Sequence, residues 1–228
     1  MALSMEAGNP RPHDRPRRHE PVRWSEGPSV ELAGSRPNAT RDFSETVQTR
    51  RTRYGFDPLT LVDLSRLLTL SARVQLEVPS ELGFPLSYRP APSAGGIHPV
   101  HLVLHRPDSP CLCRYDAFRH SLCELQTPSV QPASIRSELC QIVQGKHATL
   151  LLMVAEPGRT AAKYADHTSL VWRDAGVLLG VLAVAAEALN LNFVPLGVTG
   201  EPWASVLVEQ PGLVGVGAAW VGARPGAA

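Results

Sequence analysis

The sequence predicts an α+β fold, and three observations predict it. Ala148 to Ala155, ATLLLMVA, is a continuous apolar run of strand length. Ser169 to Asn190 is apolar nearly all round, which marks a central helix covered on every side, by its own domain or by a second subunit. Around these two segments helical and strand periodicities alternate, with no internal repeat and no coiled-coil heptad. At 228 residues the chain suits one domain with a sizeable core.

Taken in order, residues 1–45 are rich in Pro, Arg, Gly, Ser and Glu and poor in large apolar side chains, so burial cannot offset the entropy of ordering them. They are expected to form a flexible tail, with a partner-binding arm as the alternative. The folded domain is expected over 46–228. Leu61, Val62, Leu64, Leu67 and Leu68 recur at helical spacing behind Thr60, with Asp63 where a capping box puts its acid, so a helix runs over 61–71. SYRPAPSAGGIHP is a turn-rich loop, and VHLVLHR reads as a half-buried strand with Val100, Leu102 and Leu104 inward and His101 and His105 outward. CLCRYDAFRHSLCEL reads as two short strands about a turn at 116–120, which places Cys111, Cys113 and Cys123 on a hairpin. A helix near 134–143 precedes the ATLLLMVA strand. After the long helix, with Asn190 as a left-handed cap, come a strand in NFVPLGV, a short helix near 201–208 and a last strand in LVGVGAAWVGA.

Several function classes are excluded or demoted. A formal net charge of +1, with acid and base mixed along the chain, argues against nucleic acid and anionic lipid as partners. The four cysteines lack the C-x-x-C pairing of a zinc site and read as small apolar residues in a reducing cytoplasm, so no metal is expected. The N-terminus carries no apolar run of a secretory signal, and Ala175 to Ala186 is too short to span a bilayer. GVGAAW lacks the third glycine and the following helix of a dinucleotide fingerprint; glycine there lets a strand approach its neighbours closely. Ser93, His98 and Asp166 fit no triad order and no nucleophile elbow.

Two stretches are more informative. RRT, Arg50 to Thr52, offers two forked guanidiniums and a hydroxyl to a terminal phosphate, although a solvated basic turn has the same composition. PSAGG, Pro92 to Gly96, has small side chains and exposed N–H groups that let a flat ring approach the main chain. Lys163, in AAKYA, is one of two lysines beside twenty arginines and is followed directly by Tyr164.

RRT, PSAGGIHPVHLVLH, CRYDAFRHSL, KYADHTSLVWRDAGVLLGVLAVAAEALNLNFVPLGV and the closing strand occur in the order found in the nitroreductase superfamily. The Lys-Tyr pair resembles its SagB/McbC-type branch, FMN-dependent azoline dehydrogenases of thiazole- and oxazole-modified peptide biosynthesis, and the resemblance runs from about Thr49 to Ala223. It implies an α+β homodimer with a central antiparallel sheet flanked by helices and FMN at the subunit interface. Arg50, Arg51 and Thr52 would then hold the phosphate and ribityl chain, Pro92, Ser93, Ala94 and Gly95 would line the ring, Leu196 and Gly197 would lie near its other side, and Arg224 would add a phosphate contact. The partners implied are an azoline-containing precursor peptide and a YcaO-type cyclodehydratase complex. This chain departs from the pattern at Tyr54, where a basic residue is common and Arg53 comes one step early, and at His98 and His167, where the branch often has tyrosine and arginine.

Azoline oxidation removes a proton from carbon and a hydride to the flavin, so the site needs a base beside a positioned ring. Lys163 and Tyr164 are the candidates, with reference pKa values of roughly 10.4 and 10, and burial or a neighbouring cation would bring a lysine down towards neutrality. Arginine stays charged and could not do this. His98 and His167 are rival bases, with reference values nearer neutrality. An NAD(P)H-dependent nitroreductase or flavin reductase, and a flavoprotein that scaffolds a peptide-modifying synthetase, are the competing functions.

Overall fold

The computed structural model describes residues 8–34, 41–127 and 130–226. Its centre is a seven-stranded sheet, antiparallel throughout, in the order β10-β11-β8-β5-β6-β7-β2. These strands are β2 (Glu26–Glu31), β5 (Val100–His105), β6 (Cys113–Asp116), β7 (Ser121–Leu125), β8 (Thr149–Ala155), β10 (Leu191–Leu196) and β11 (Val214–Ala223). Two small ladders stand apart, β1 (Arg11–Pro12) on β9 (Tyr164–Ala165) and β3 (Leu76–Val78) on β4 (Leu86–Tyr88). The helices are α1 (Phe43–Thr49), α2 (Leu61–Ser71), α3 (Pro132–Ile142), α4 (Pro157–Ala161) and α5 (Thr168–Ala188).

Strand alternation divides the core into two layers. Leu102, Leu104, Leu151 and Met153 face α2 and α5, while Val103, Leu150, Leu152 and Val154 face α3 and Trp220. β5 is therefore buried on both faces, with Val103 wholly inside and His105 buried, and not the half-buried strand its His/Val alternation predicts. A central strand has no solvated face, so His105 is buried and bonds by Nε2 to the Ser109 carbonyl.

α2 spans 61–71 as predicted, and its cap has the expected chemistry: the Thr60 side chain accepts from the Asp63 N–H at 3.1 Å and donates to the Asp63 carboxylate at 2.7 Å. α5 ends two residues earlier than expected, and Asn190 follows it at φ 59° as the left-handed cap. Its 21 residues are long and apolar enough to cross a bilayer, unlike the 12-residue stretch alone, but its inner face packs on α2 and β10. The outer face is open, with Trp172, Gly176, Val177 and Gly180 exposed, so within one chain α5 is not covered on every side. The helix expected near 201–208 is only a 3-10 turn at Ala204–Val206. GVGAAW lies inside β11, where a Cβ on Gly215 would lie 2.5 Å from the Thr199 carbonyl; close approach is what that glycine permits.

The N-terminal segment departs most from expectation. Residues 8–34 are laid along the domain: β1 pairs with β9, and β2 forms an edge of the main sheet against β7. α1 also crosses the expected boundary at 45. Composition underestimates this segment because backbone ladders and His19, Val22 and Trp24 anchor it, not a run of apolar side chains. The edge strand keeps Glu26, Pro28 and Glu31 exposed, which discourages further pairing. Residues 1–7 and 35–40 of the expected tail lie outside the described residues.

Candidate functional site

PSAGG forms a tight turn between β4 and β5. Gly95 and Gly96 take φ 64° and 70°, a region open to glycine at little cost, and His98 follows at φ 48°. The turn is anchored from α5: Ser93 Oγ donates to one Asp174 oxygen and the Ala94 N–H donates to the other at 3.2 Å, while Ser93 Oγ accepts from the His98 N–H at 2.9 Å. Burial pushes the Asp174 carboxyl up, with the Ser93 and Ala94 hydrogen bonds opposing it. Lys163 and Tyr164 face this turn. A Cβ built on Gly95 would lie 2.7 Å from Lys163 Nζ and 2.8 Å from Tyr164 Oη. Both side chains are half-buried, and Nζ stands 5.7 Å from the Tyr164 ring centre. The two candidate catalytic groups and the ring-admitting loop, separated by almost seventy residues of sequence, thus share one site.

The phosphate candidates lie at the other end of α5. Arg50 closes α1, and Arg51 turns back to donate to the Gln48 and Arg50 carbonyls at 2.8 Å each, with Thr52 exposed beside it. Arg224, just past β11, reaches the buried Glu187 at 3.1 Å. Glu187 also takes Arg41 at 2.7 Å and Arg53, so three guanidiniums converge on one carboxylate. Burial pushes the Glu187 carboxyl up, but the hydrogen bonds of Arg53 and Arg224 and their charges outweigh this and bring it down. Arg224 Nη2 is engaged by Glu187, while its Nε remains buried without a hydrogen-bond partner. A donor in that state, in a cluster with more cationic than anionic groups, fits a phosphate. Gly197, after β10, is exposed, with nothing within 4 Å of where its Cβ would be, while Leu196 is buried beside it. Asp174 and Glu187 are thirteen residues apart on one helix, about 20 Å along its axis. One chain therefore keeps the PSAGG loop and the Glu187 arginine cluster apart.

Behind the loop, β5 and β6 pair only at Val103↔Arg114 and Leu104↔Cys113, and the strands part below that point around a cavity of about 120 Å³. Arg89, His98, Arg114, Arg159, Phe118 and Asp174 line it. Burial, and then the charge of Arg159, push the Arg89 guanidinium down to about 10. Burial and the Arg89 charge push His98 down to about 3, and its Nε2 sits 2.9 Å from the Ser87 carbonyl, which fixes the proton on that nitrogen. His98 is thus a poor base near neutrality. Burial also lowers His167. Ser93, His98 and Asp166 make no triad, because the Ser93 hydroxyl goes to Asp174 and the His98 ring goes to Ser87.

Asp174, Glu187, Arg41 and the N-terminal segment were missed by sequence reasoning, while Arg53, expected only as a basic residue one step out of register, lies on Glu187. A signal existed for the two acids, because an acid inside an apolar helix is rarely buried unless paired. None existed for the N-terminal segment. Its bonds are made by backbone groups and by histidines whose partners lie more than a hundred residues away, which no composition reveals.

Residues 47–207 match the Nitroreductase family, and the chain belongs to it. Among solved structures, one from Ralstonia eutropha classed as a nitroreductase is 21% identical, with a TM-score of 0.67 over 92% of this chain and 97% of that one. The Escherichia coli microcin synthetase McbBCD complex, with truncated pro-MccB17 bound, is 13% identical, with a TM-score of 0.57 over 86% of this chain and 77% of that one. A Desulfovibrio desulfuricans structure classed as a nitroreductase, in complex with FMN, is 17% identical, with a TM-score of 0.51 over 81% and 87%. A search among curated proteins gave no match.

Proposed function

We propose that this chain is an FMN-dependent oxidoreductase that dehydrogenates thiazolines or oxazolines in a peptide to thiazoles or oxazoles. The observation that carries the reading is the placement of Lys163 Nζ and Tyr164 Oη against Gly95, in the loop that the family resemblance assigns to the flavin ring. The likeness to the McbBCD complex supports the branch, and the likeness to an FMN-bound structure supports the cofactor.

The residues divide the work as follows. The Arg224 cluster, with Arg50, Arg51 and Thr52, supplies donors for the FMN phosphate. Pro92, Ser93, Ala94 and Gly95 line the ring, held by Asp174, with Leu196 and Gly197 near its other side. Bound there, FMN would supply the hydride acceptor. Lys163 and Tyr164 hold the azoline against the loop and take up the proton released from its carbon, Lys163 directly or through Tyr164. The half-sites lie at opposite ends of α5, so a homodimer is the arrangement that brings a ring loop and a phosphate cluster together, and the exposed stripe of α5 is its surface.

The test is turnover of a heterocyclised peptide, followed by the mass loss of two hydrogens per ring, for the wild type, Lys163→Ala and Tyr164→Phe. The variants should stay yellow and stop forming azole. Full turnover in both would remove these residues from the chemistry. The likeness to the Ralstonia structure favours a nitroreductase as second reading. Rapid bleaching of the flavin by NADH or NADPH, with no azoline turnover, would establish it.

A further inference from the structure

Lys163 and Tyr164 sit on a weakly supported piece of chain. α4 is five residues long, β9 is two, and Asp166 follows at φ 51°. Within the segment, the Ala162 N–H donates to the Gly158 carbonyl and the Lys163 N–H to the Thr160 carbonyl. Those bonds satisfy the N–H groups of the turn but leave its carbonyls pointing outward. Three consecutive carbonyls, those of Ala161, Ala162 and Lys163, find their partners in the N-terminal segment: His13 Nε2 at 3.0 Å, the Arg17 N–H at 2.8 Å and the His13 N–H at 2.9 Å. β1 then pairs Pro12 with Tyr164 and Arg11 with Ala165.

The same segment is tied down further along. His19 hydrogen-bonds Glu156 at 2.7 Å, and the Val22 N–H donates to the same carboxylate oxygen at 2.8 Å. The other oxygen of Glu156 meets His101 at 3.0 Å, on the central strand. The His19 N–H donates to the Leu82 carbonyl, and beyond Trp24 the chain becomes β2 of the main sheet. The segment is thus fixed from His19 onward, and the stretch before it, residues 11–17, runs across the Lys163 turn. It also precedes residue 47, where the family match begins.

We infer that residues 8–19 are a positioning strap of the active site, with His13 as its key residue: they fix the carbonyls of 161–163 and so hold Lys163 Nζ and Tyr164 Oη against Gly95. What those two side chains do there rests on the reading above; that the strap holds them does not. A turn of this size, released from three acceptor bonds and a two-residue ladder, gains backbone freedom, and small displacements of a reacting group are costly in rate. His13 is a positioning residue, not a catalytic one, since no reacting atom touches it.

The chain has only two lysines, which gives a direct readout. Brief acylation of the full-length protein, with Lys146 as internal standard, measures how freely Lys163 moves. His13→Ala removes the side-chain donor to Ala161, and Arg17→Pro removes the N–H donated to Ala162. Each should raise Lys163 labelling several-fold relative to Lys146, with the circular dichroism spectrum and FMN content unchanged. kcat should fall by roughly one to two orders of magnitude. His13→Gln, which keeps a donor, should restore both readouts in large part. Unchanged labelling in His13→Ala and Arg17→Pro, both folded, would overturn the strap. If wild type shows no azoline turnover, the proposed function fails and the labelling ratio still decides the strap.

Discussion

At the scale of the residue, Gly95 is the point where the site is most exposed to a single change. A Cβ there meets an amine and a phenol inside ordinary contact distance, on a backbone at φ 64°. Gly95→Ala should cost about 1 kcal/mol in stability from the left-handed conformation. Its effect on turnover should be far larger, because Lys163 and Tyr164 must move to admit the methyl group. Paired chemical denaturation and steady-state kinetics would separate the two effects, and kinetics that fall no further than stability would contradict the geometry. The sequence showed PSAGG and the Lys-Tyr pair separately. Their contact depends on the tertiary placement of α4, which no local pattern encodes.

At the scale of the element, α5 anchors both the PSAGG loop and the arginine cluster through its two buried acids. Glu187 neutralises part of an otherwise cationic cluster, so Glu187→Gln leaves Arg41, Arg53 and Arg224 with no shared carboxylate. Urea denaturation should show a loss of about 3 kcal/mol, the usual cost of breaking a buried pair on one side. A loss near zero would mean that solvent reaches the cluster. α2, α3, α5 and the strand ATLLLMVA were legible because period and length suffice for them, whereas the short α1 and α4 were not, and the helix expected near 201–208 is a 3-10 turn. Nor were the N-terminal strands legible, since each is short, polar and stabilised from across the molecule. β5 was misjudged for a related reason: histidines alternate with valine and leucine, yet a central strand buries both kinds.

At the scale of the whole molecule, stability should fall in acid. His98, His101 and His120 are held at about 3, 4 and 4, each primarily by burial, below the reference value of 6.5. Burial pushes Glu156 up, but the hydrogen bond and charge of His101, the charge of Arg159 and the hydrogen bond of His19 carry it down to about 2. The unfolded chain binds protons first in every case. The stability these groups contribute is therefore complete above about pH 6.5 and is lost progressively as pH falls through 4 towards 3. Thermal melts from pH 7 to pH 4 should show a steadily falling Tm, with a shallower slope in His98→Asn; a flat profile would mean that these imidazoles are solvated.

The separation of the PSAGG loop from the arginine cluster supports the central proposal, that two copies of this chain and FMN form an azoline-oxidising enzyme whose proton acceptor is the Lys163–Tyr164 pair. The most direct measurement is mass spectrometry of a thiazoline- or oxazoline-bearing peptide incubated in air with the FMN-loaded wild type and with Lys163→Ala. The account predicts loss of two hydrogens per ring with the wild type and none with the variant, which keeps its flavin. Azole formed equally by both proteins, or by neither, would contradict it.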